Sequence, residues 1–333
     1  MAPRIPGSRV FLTFVALLAG AQAAFAQAAP PPPPSPAPAV APAGTPAPPP
    51  SPVSGIRNKV AAGDLLSAES ILEVHRAKNG EDGAHLVGLS WLARGALYLG
   101  DLGRAKRYLD DVRARCAERI ARGAEPSKDH DLELALGAAI EVQAQLTERA
   151  RGGTAAAAYV RGELEKLEGP VALRSRLNKR INMLTLAGSP APEIEVEDFL
   201  GERPPALASL RGKPVVVYMW APWCGDCTAQ AAALARVKAR HASEGLQVLA
   251  LTRYYEGDSL RAVEKAQVDS VWKAVYVDVG SVPIVFSTAS MVRYGGSSTP
   301  TFVFADRKGI VSWYTPTRLT EAELEGAVSK IAR

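Results

Sequence analysis

The sequence predicts two folded domains of different class, an all-α domain over residues 54–187 and an α/β domain over residues 188–333. Residues 54–187 are rich in Ala, Leu, Arg and Glu, and their apolar side chains recur at helical spacing. In residues 188–333, apolar runs of strand length alternate with helical patterns, which is typical of a layered α/β fold. The 333 residues leave room for two cores once the first 53 are set aside.

The N-terminus, residues 1–26, is predicted to be a signal peptide. Arginines precede an apolar stretch, Val10–Gly20, that is too short to span a bilayer, for which about 20 residues are needed. Ala24-Phe25-Ala26 forms a small-x-small cleavage site. We therefore expect an exported, periplasmic protein. The alternative is an uncut signal that anchors the chain in the inner membrane, facing the periplasm.

Residues 27–53 are nearly all Pro, Ala and Ser and predict a disordered, extended linker, because such a segment cannot bury apolar area. The net charge of +5 is modest and no basic block is interleaved with aromatic residues, so nothing supports a nucleic-acid partner. The chain has three cysteines, too few for a disulfide-stapled scaffold.

The helical half repeats itself. Gly63-Asp64-Leu65 recurs as Gly100-Asp101-Leu102, an offset close to the roughly 34-residue tetratricopeptide period. A weaker third hairpin is predicted over 131–167 with its turn at Gly152-Gly153, and a last helix over 171–186. The pattern predicts a tetratricopeptide-like (TPR-like) array of helical hairpins, whose concave surface would bind a protein partner. A helical spacer or a dimerisation bundle is the alternative.

Cys116 falls on an apolar helical face with Leu109, Val112 and Ile120. This position predicts a buried, unreactive thiol. The alternative is an intermolecular or mixed disulfide.

The α/β half is predicted to contain four strands and a hairpin, separated by helices. The last helix begins with a capping box, Thr320 with Glu323. The predicted strands are 193–196, 215–220, 246–251 and 274–277, the hairpin joins 301–304 to 309–313, and the helices are 224–241, 258–267, 287–293 and 320–331.

Two cysteines stand directly after the apolar run 214–220, in Trp223-Cys224-Gly225-Asp226-Cys227. Two thiols three positions apart at a helix start can close a disulfide with each other or pass it to a partner. The unpaired N–H groups and positive dipole end of a helix favour the thiolate, which is the form that attacks disulfides.

Residues 188–333 resemble the TlpA/ResA-like branch of exported thioredoxin-fold proteins. The resemblance implies a thiol-disulfide oxidoreductase with a redox-active Cys224–Cys227 disulfide, most often a reductant of exported cysteines. It also implies a cis Thr299–Pro300 bond facing the cysteines, and it calls for no cofactor and no metal. The stretches that carry the resemblance are 189–192, 210–214, 219–227, 299–306 and Gly309.

In the cycle that this implies, the Cys224 thiolate attacks a client disulfide, and Cys227 then resolves the mixed disulfide. Trp223 is expected to shield the pair and offer an apolar docking face. The N–H groups of Gly225 and Cys227 would stabilise the thiolate, and the Thr299 backbone would face the bound client.

The sequence departs from the family pattern at three positions. Asp226 stands where a neutral residue is common, Tyr218 where thioredoxin has a buried acid, and Gln230 where the TlpA/ResA-like family has Glu. The usual proton acceptor for Cys227 is therefore missing. Asp226 is a candidate substitute, acting through water, and its charge would favour the reducing direction by disfavouring thiolate. The alternative is a solvated side chain of little effect.

The leading functional hypothesis is a reductase of specific exported clients, supplied by a membrane thiol electron donor. A disulfide oxidase or isomerase is the enzymatic alternative. The non-enzymatic alternatives are a client-binding module and a copper-assembly module. Copper is disfavoured because the histidines that follow the signal peptide all lie outside the segment just before Pro300.

Overall fold

A computed structural model describes residues 51–167 and 170–333. The predicted signal peptide and residues 27–50 of the predicted linker lie outside the described residues. Among the described helices, none is long and apolar enough to cross a bilayer.

The first half is all helical, as predicted. Its helices are α1 Pro52–Ala61, α2 Leu65–Asn79, α3 Gly83–Tyr98, α4 Leu102–Ala121, α5 His130–Glu165 and α6 Val171–Thr185. Helix α1 begins at Pro52, two residues before the predicted start of the helical domain. Ser51 caps this helix by accepting the Val53 N–H, and proline is tolerated in the first turn, where its missing N–H costs no helical bond.

The two Gly-Asp turns predicted from the repeat are present. Gly63 and Gly100 have φ of 76° and 80°, which a glycine adopts without steric cost. Asp64 and Asp101 then cap α2 and α4, because their side chains accept backbone N–H groups three residues on. Each turn reverses the chain between packed helices, α1 with α2 and α3 with α4.

The predicted third turn is also present. Gly152, with φ 82° and ψ 170°, breaks α5, and Ala144 and Val160 on either side of it share one core with Leu173 of α6. Cys116 is a buried free thiol, and burial raises its pKa to about 11, as expected for an unreactive cysteine. Ile120, in the last turn of α4, is exposed rather than buried with it.

The second half is a six-stranded mixed sheet in the order β1-β4-β3-β2-β5-β6. The central strand β2 is buried along its whole length, runs parallel to β3 and antiparallel to β5, and separates two apolar cores. The strands are β1 Asp198–Leu200, β2 Val215–Met219, β3 Gln247–Thr252, β4 Ile284–Phe286, β5 Thr301–Ala305 and β6 Val311–Thr315, and the helices are α7 Gly225–Arg240, α8 Arg261–Val275, α9 Thr288–Arg293 and α10 Glu321–Ala332.

Two predicted strands are wrong. Residues 193–196 form no strand, and the Glu193 carboxylate instead accepts the N–H groups of Leu207 and Ala208. Residues 274–277 belong to the end of α8 and the turn after it, where the ring of Tyr276 stacks on Trp272 at 4.4 Å between centroids. The strand of this region is β4, which the sequence analysis missed.

Helix α6 joins the two halves, which pack as one compact unit. The Ser175 hydroxyl lies 3.4 Å from the Met291 carbonyl oxygen, and the Asn182 side chain donates to the Arg293 carbonyl at 3.0 Å. The backbone of Gly295 lies against that of Lys179. The helical half is therefore held against the segment that leads to Pro300.

Candidate functional site

The two motif cysteines form a disulfide at the start of α7, with 5.2 Å between their Cα atoms. Cys224 is the N-cap residue of this helix, and its sulfur accepts the Cys227 N–H at 3.1 Å. The predicted bond from the Gly225 N–H is not among the hydrogen bonds of the described residues, because an N-cap side chain reaches the second or third helical N–H rather than the first.

The two sulfurs differ in accessibility. Cys224 is half-buried, whereas Cys227 is completely buried one helical turn further on. A partner from solution can therefore reach Cys224, and Cys227 can be reached only through Cys224.

The loop before β5 faces this disulfide. The Thr299–Pro300 bond is cis, as predicted, and the Thr299 carbonyl oxygen lies 3.3 Å from the Cys224 sulfur. The Thr301 hydroxyl donates to the Ser298 carbonyl at 2.7 Å and so closes the loop on itself. The backbone of residue 299 is thus held beside the accessible sulfur.

An aromatic platform that the sequence analysis missed supports Trp223. This indole is 58% exposed and meets the Tyr255 ring edge to face at 4.1 Å between centroids. The Arg253 guanidinium lies 4.4 Å from the centre of the same ring. Arg253 and Tyr255 follow β3, which is parallel to β2, and carboxyl ends of parallel strands meet at one sheet edge. The position of these two residues directly after a strand parallel to β2 is the sequence feature that could have predicted their place at the site.

Beneath the disulfide, the usual acids are replaced by neutral groups. The Tyr218 hydroxyl donates to the Cys227 carbonyl at 3.2 Å and lies 3.1 Å from the Tyr276 hydroxyl. Burial holds the pKa of Tyr218 well above its ordinary value, so the phenol stays protonated. The buried Gln230 accepts the Leu319 N–H at 2.8 Å, and its amide nitrogen has no partner among the described residues.

Asp226 lies on the surface rather than against the sulfurs' buried side. Its side chain is 68% exposed and sits 3.7 Å from the Arg318 guanidinium. This position agrees better with the solvated role than with a proton acceptor for the buried Cys227.

No group of three or more His, Cys, Asp or Glu side chains in the described part of the chain is arranged to hold a metal ion. A groove with a cavity volume of about 440 Å³ opens beside Trp223 and Thr299 and reaches α5 and α6. The accessible sulfur therefore lies next to a cleft that both halves of the molecule build.

Residues 187–314, under half of the chain, match the model of the AhpC/TSA family. This match confirms the thioredoxin-like α/β fold predicted for the second half. No curated protein matches the chain.

The chain is also similar to solved structures of disulfide-exchange proteins. A secreted Mycobacterium tuberculosis disulfide oxidoreductase, described as homologous to E. coli DsbE, is 23% identical over 37% of this chain and 85% of its own, with a TM-score of 0.30. A thiol:disulfide interchange protein from Chlorobium tepidum is 20% identical over 44% and 97%, with a TM-score of 0.35. A thiol-disulfide isomerase from Corynebacterium glutamicum is 20% identical over 43% and 96%, with a TM-score of 0.35.

Proposed function

We propose that this protein is an exported thiol-disulfide oxidoreductase that reduces disulfides of particular client proteins through Cys224 and Cys227. The observation that carries the proposal is the pairing of an accessible sulfur with a fully buried one at the start of α7, directly opposite the Thr299 carbonyl. In this geometry the client would react with the Cys224 sulfur, and the buried Cys227 sulfur would resolve the mixed disulfide.

The cycle starts from the reduced pair. The Cys224 thiolate attacks one sulfur of the client disulfide, and the other client sulfur leaves as a thiolate and takes up a proton from solvent. The Cys227 thiolate then attacks the Cys224 sulfur and expels the second client thiol. The client gains two electrons and the Cys224–Cys227 disulfide forms.

Reduction of that disulfide requires a dithiol donor, and we propose a membrane thiol protein for this step. Such a donor would also have to reach Cys224 first, since Cys227 is buried. The reducing direction is supported by the surroundings of the Cys224 sulfur, because among the described residues the Cys227 N–H alone donates a hydrogen bond to it, which stabilises the thiolate little.

Trapping tests the exchange mechanism. In a Cys227→Ser variant the first step can occur but the second cannot, so we expect mixed disulfides on Cys224 that dithiothreitol releases and mass spectrometry identifies. Cys224→Ser is the matched control and should trap nothing. Equal trapping by both variants, or by neither, would refute the proposal.

The direction is tested by the reduction potential of the Cys224–Cys227 pair. A potential of about −250 mV or below supports a reductase, whereas a value of about −120 mV supports an oxidase instead.

Export is tested separately by fractionation and by the mass of the mature chain, which should begin at Gln27. A chain that keeps its first 26 residues in the membrane fraction would favour the anchored alternative.

A further inference from the structure

The groove beside Cys224 has walls from both halves of the molecule. On the redox side it is lined by Ala221, Trp223 and Thr299, together with the side chains that follow β3. The opposite wall is formed by the first turn of α5 and the N-terminal half of α6. Because Thr299 also contacts the Cys224 sulfur, a chain that approaches this sulfur through the groove would lie beside the helical wall.

The groove is rich in cations. Arg176, Lys179 and Arg253 line it, against one carboxylate, Glu133. Glu133 lies 4.0 Å from His130. The basic side chains come from both walls, since Arg253 follows β3 and the other two lie on α6.

Two of these cations are less fully compensated than the third, although the charge of Glu141 also acts on Lys179. Arg176 is bound to Glu141 at 2.5 Å, which is the salt bridge between α5 and α6. Among the described residues, neither Lys179 nor Arg253 forms a salt bridge. The Lys179 ammonium reaches the Ser298 hydroxyl at 3.4 Å, and Arg253 lies over the Tyr255 ring. Burial lowers the pKa of Lys179, and a carboxylate arriving in the groove would offset that cost.

The cation on α6 is also fixed relative to the reactive sulfur. Lys179 contacts Ser298, the residue before Thr299, and Thr299 lies against Cys224. The Lys179 ammonium therefore lies close to the Thr299 backbone, beside which the client disulfide would bind.

We propose that this groove binds the client segment that flanks the reactive disulfide, and that it selects segments with Asp or Glu beside the cysteine. The inference rests on the proposed function and adds the chemistry of the client to it. Carboxylates would pair with Lys179 and Arg253, while the exposed Trp223 ring packs on apolar parts of the segment.

The test uses the mature full chain and disulfide-bridged peptides that differ only at the residues flanking one cysteine, with Asp, Asn or Lys there. The rate at which each peptide oxidises the reduced protein is followed by tryptophan fluorescence. We expect the Asp peptide to react about tenfold faster than the Lys peptide at low salt, with the Asn peptide between them. High salt should remove most of this preference, because it screens exposed charges.

Charge reversal assigns the preference to the groove. Arg253→Glu should reduce the ratio to about threefold or less, since it removes one of the two unpaired cations. Lys179→Gln should act in the same direction. The matched control is Lys330→Glu on α10, an exposed lysine that does not line the groove, and it should leave the ratio unchanged.

Hydroxyethyl disulfide, a small neutral oxidant, distinguishes a failure of the groove proposal from a failure of the proposed function. If it oxidises the reduced pair while the three peptides react equally, the groove proposal is overturned and the proposed function stands. If neither it nor any peptide reacts, the proposed function itself fails. The peptide comparison on the unaltered protein needs no variant to fold.

Discussion

The two cysteines of the site lie three positions apart, yet their surroundings give them different chemistry. Cys224 caps α7 and is open to solvent, whereas Cys227 lies in the apolar core with Trp220 and Phe302. Under the proposed function, this difference in accessibility favours attack by the Cys224 sulfur and resolution by the Cys227 sulfur.

The nearest charged side chain in the motif, Asp226, should contribute little to this chemistry. Because its carboxylate is mostly exposed and pairs across the surface with Arg318, its interactions are screened by water. We expect Asp226→Asn to shift the reduction potential by less than about 15 mV, which is about a threefold change in the exchange equilibrium. The rate of resolution by Cys227 should keep its pH profile. Redox titration and stopped-flow measurements from pH 5 to 9 check both.

Asp110→Asn is the control for this substitution, since Asp110 is an exposed aspartate paired with Lys106 on α4, in the helical half. Loss of an inflection from the pH profile in the Asp226 variant alone would show that this carboxylate takes the proton of Cys227. That result would restore the hypothesis drawn from the sequence.

At the same scale, the sequence indicates the cysteine pair and the proline loop but not the groove. The spacing of Cys224 and Cys227 and the position of Pro300 carry their chemistry in the residues themselves. Arg253 and Lys179 are unremarkable in the sequence, because their role depends on which elements the fold brings beside Cys224. No local sequence pattern predicts that Lys179 on α6 contacts Ser298.

Among the elements, α5 and α6 are joined by a nearly buried ion pair. Glu141 binds Arg176, and it also faces Arg94, whose pKa burial lowers to about 10. Burial raises the pKa of Glu141, but the attraction and hydrogen bond of Arg176 outweigh it and hold this pKa below its ordinary value. One carboxylate thus compensates cations from two helices.

Removing this carboxylate should be costly, because it leaves buried cations unpaired. We expect Glu141→Gln to lower the free energy of unfolding at pH 7 by about 3–5 kcal/mol. Since the folded-state pKa lies below the unfolded one, this stabilisation is fully present above about pH 4.3 and is lost as the pH falls through the folded-state pKa. The difference between the two proteins, measured by urea denaturation, should therefore shrink in acid.

The comparison protein for this measurement is Glu118→Gln, which breaks an exposed pair with Arg122 on α4. It should change the free energy of unfolding by less than about 0.5 kcal/mol. If Glu141→Gln lowers the free energy of unfolding by no more than this control does, solvent must reach the Glu141–Arg176 pair freely.

Elements with a strong period are predicted better than short strands. The helices are marked by apolar spacing and by Gly-Asp turns, and these features act locally. The false strand at 274–277 and the true strand β4 are both short apolar runs, and such runs are ambiguous between the end of a helix and a buried strand. Tertiary packing decides between them: Tyr276 stacks with Trp272 on the helix, while Ile284–Phe286 pairs with β3.

On the scale of the whole molecule, the helical half is a structural part of the redox site. Its helix α6 contacts α9 and the following loop, and that loop continues into Ser298 and Thr299. The position of the groove's helical wall therefore depends on how closely α6 approaches this segment. The two backbones come close at Gly295, where an added Cβ atom would collide with the backbone nitrogen of Lys179.

Gly295→Ala should separate the two halves locally without touching the cysteines. Its φ of 72° is unfavourable for alanine, and the added Cβ would push α6 away from the loop. Gly280→Ala is the matched control, since Gly280 has φ of 73° and its added Cβ would meet only the flexible end of the Lys238 side chain, at 3.8 Å. We expect strain alone to lower the control's free energy of unfolding by about 1–2 kcal/mol, and Gly295→Ala to lower it by roughly 2 kcal/mol more.

The Gly295→Ala variant should also lose the preference for acidic peptides while keeping its rate with hydroxyethyl disulfide. Equal destabilisation of the two variants, with the peptide preference intact in both, would show that α6 does not need this close approach to form the groove.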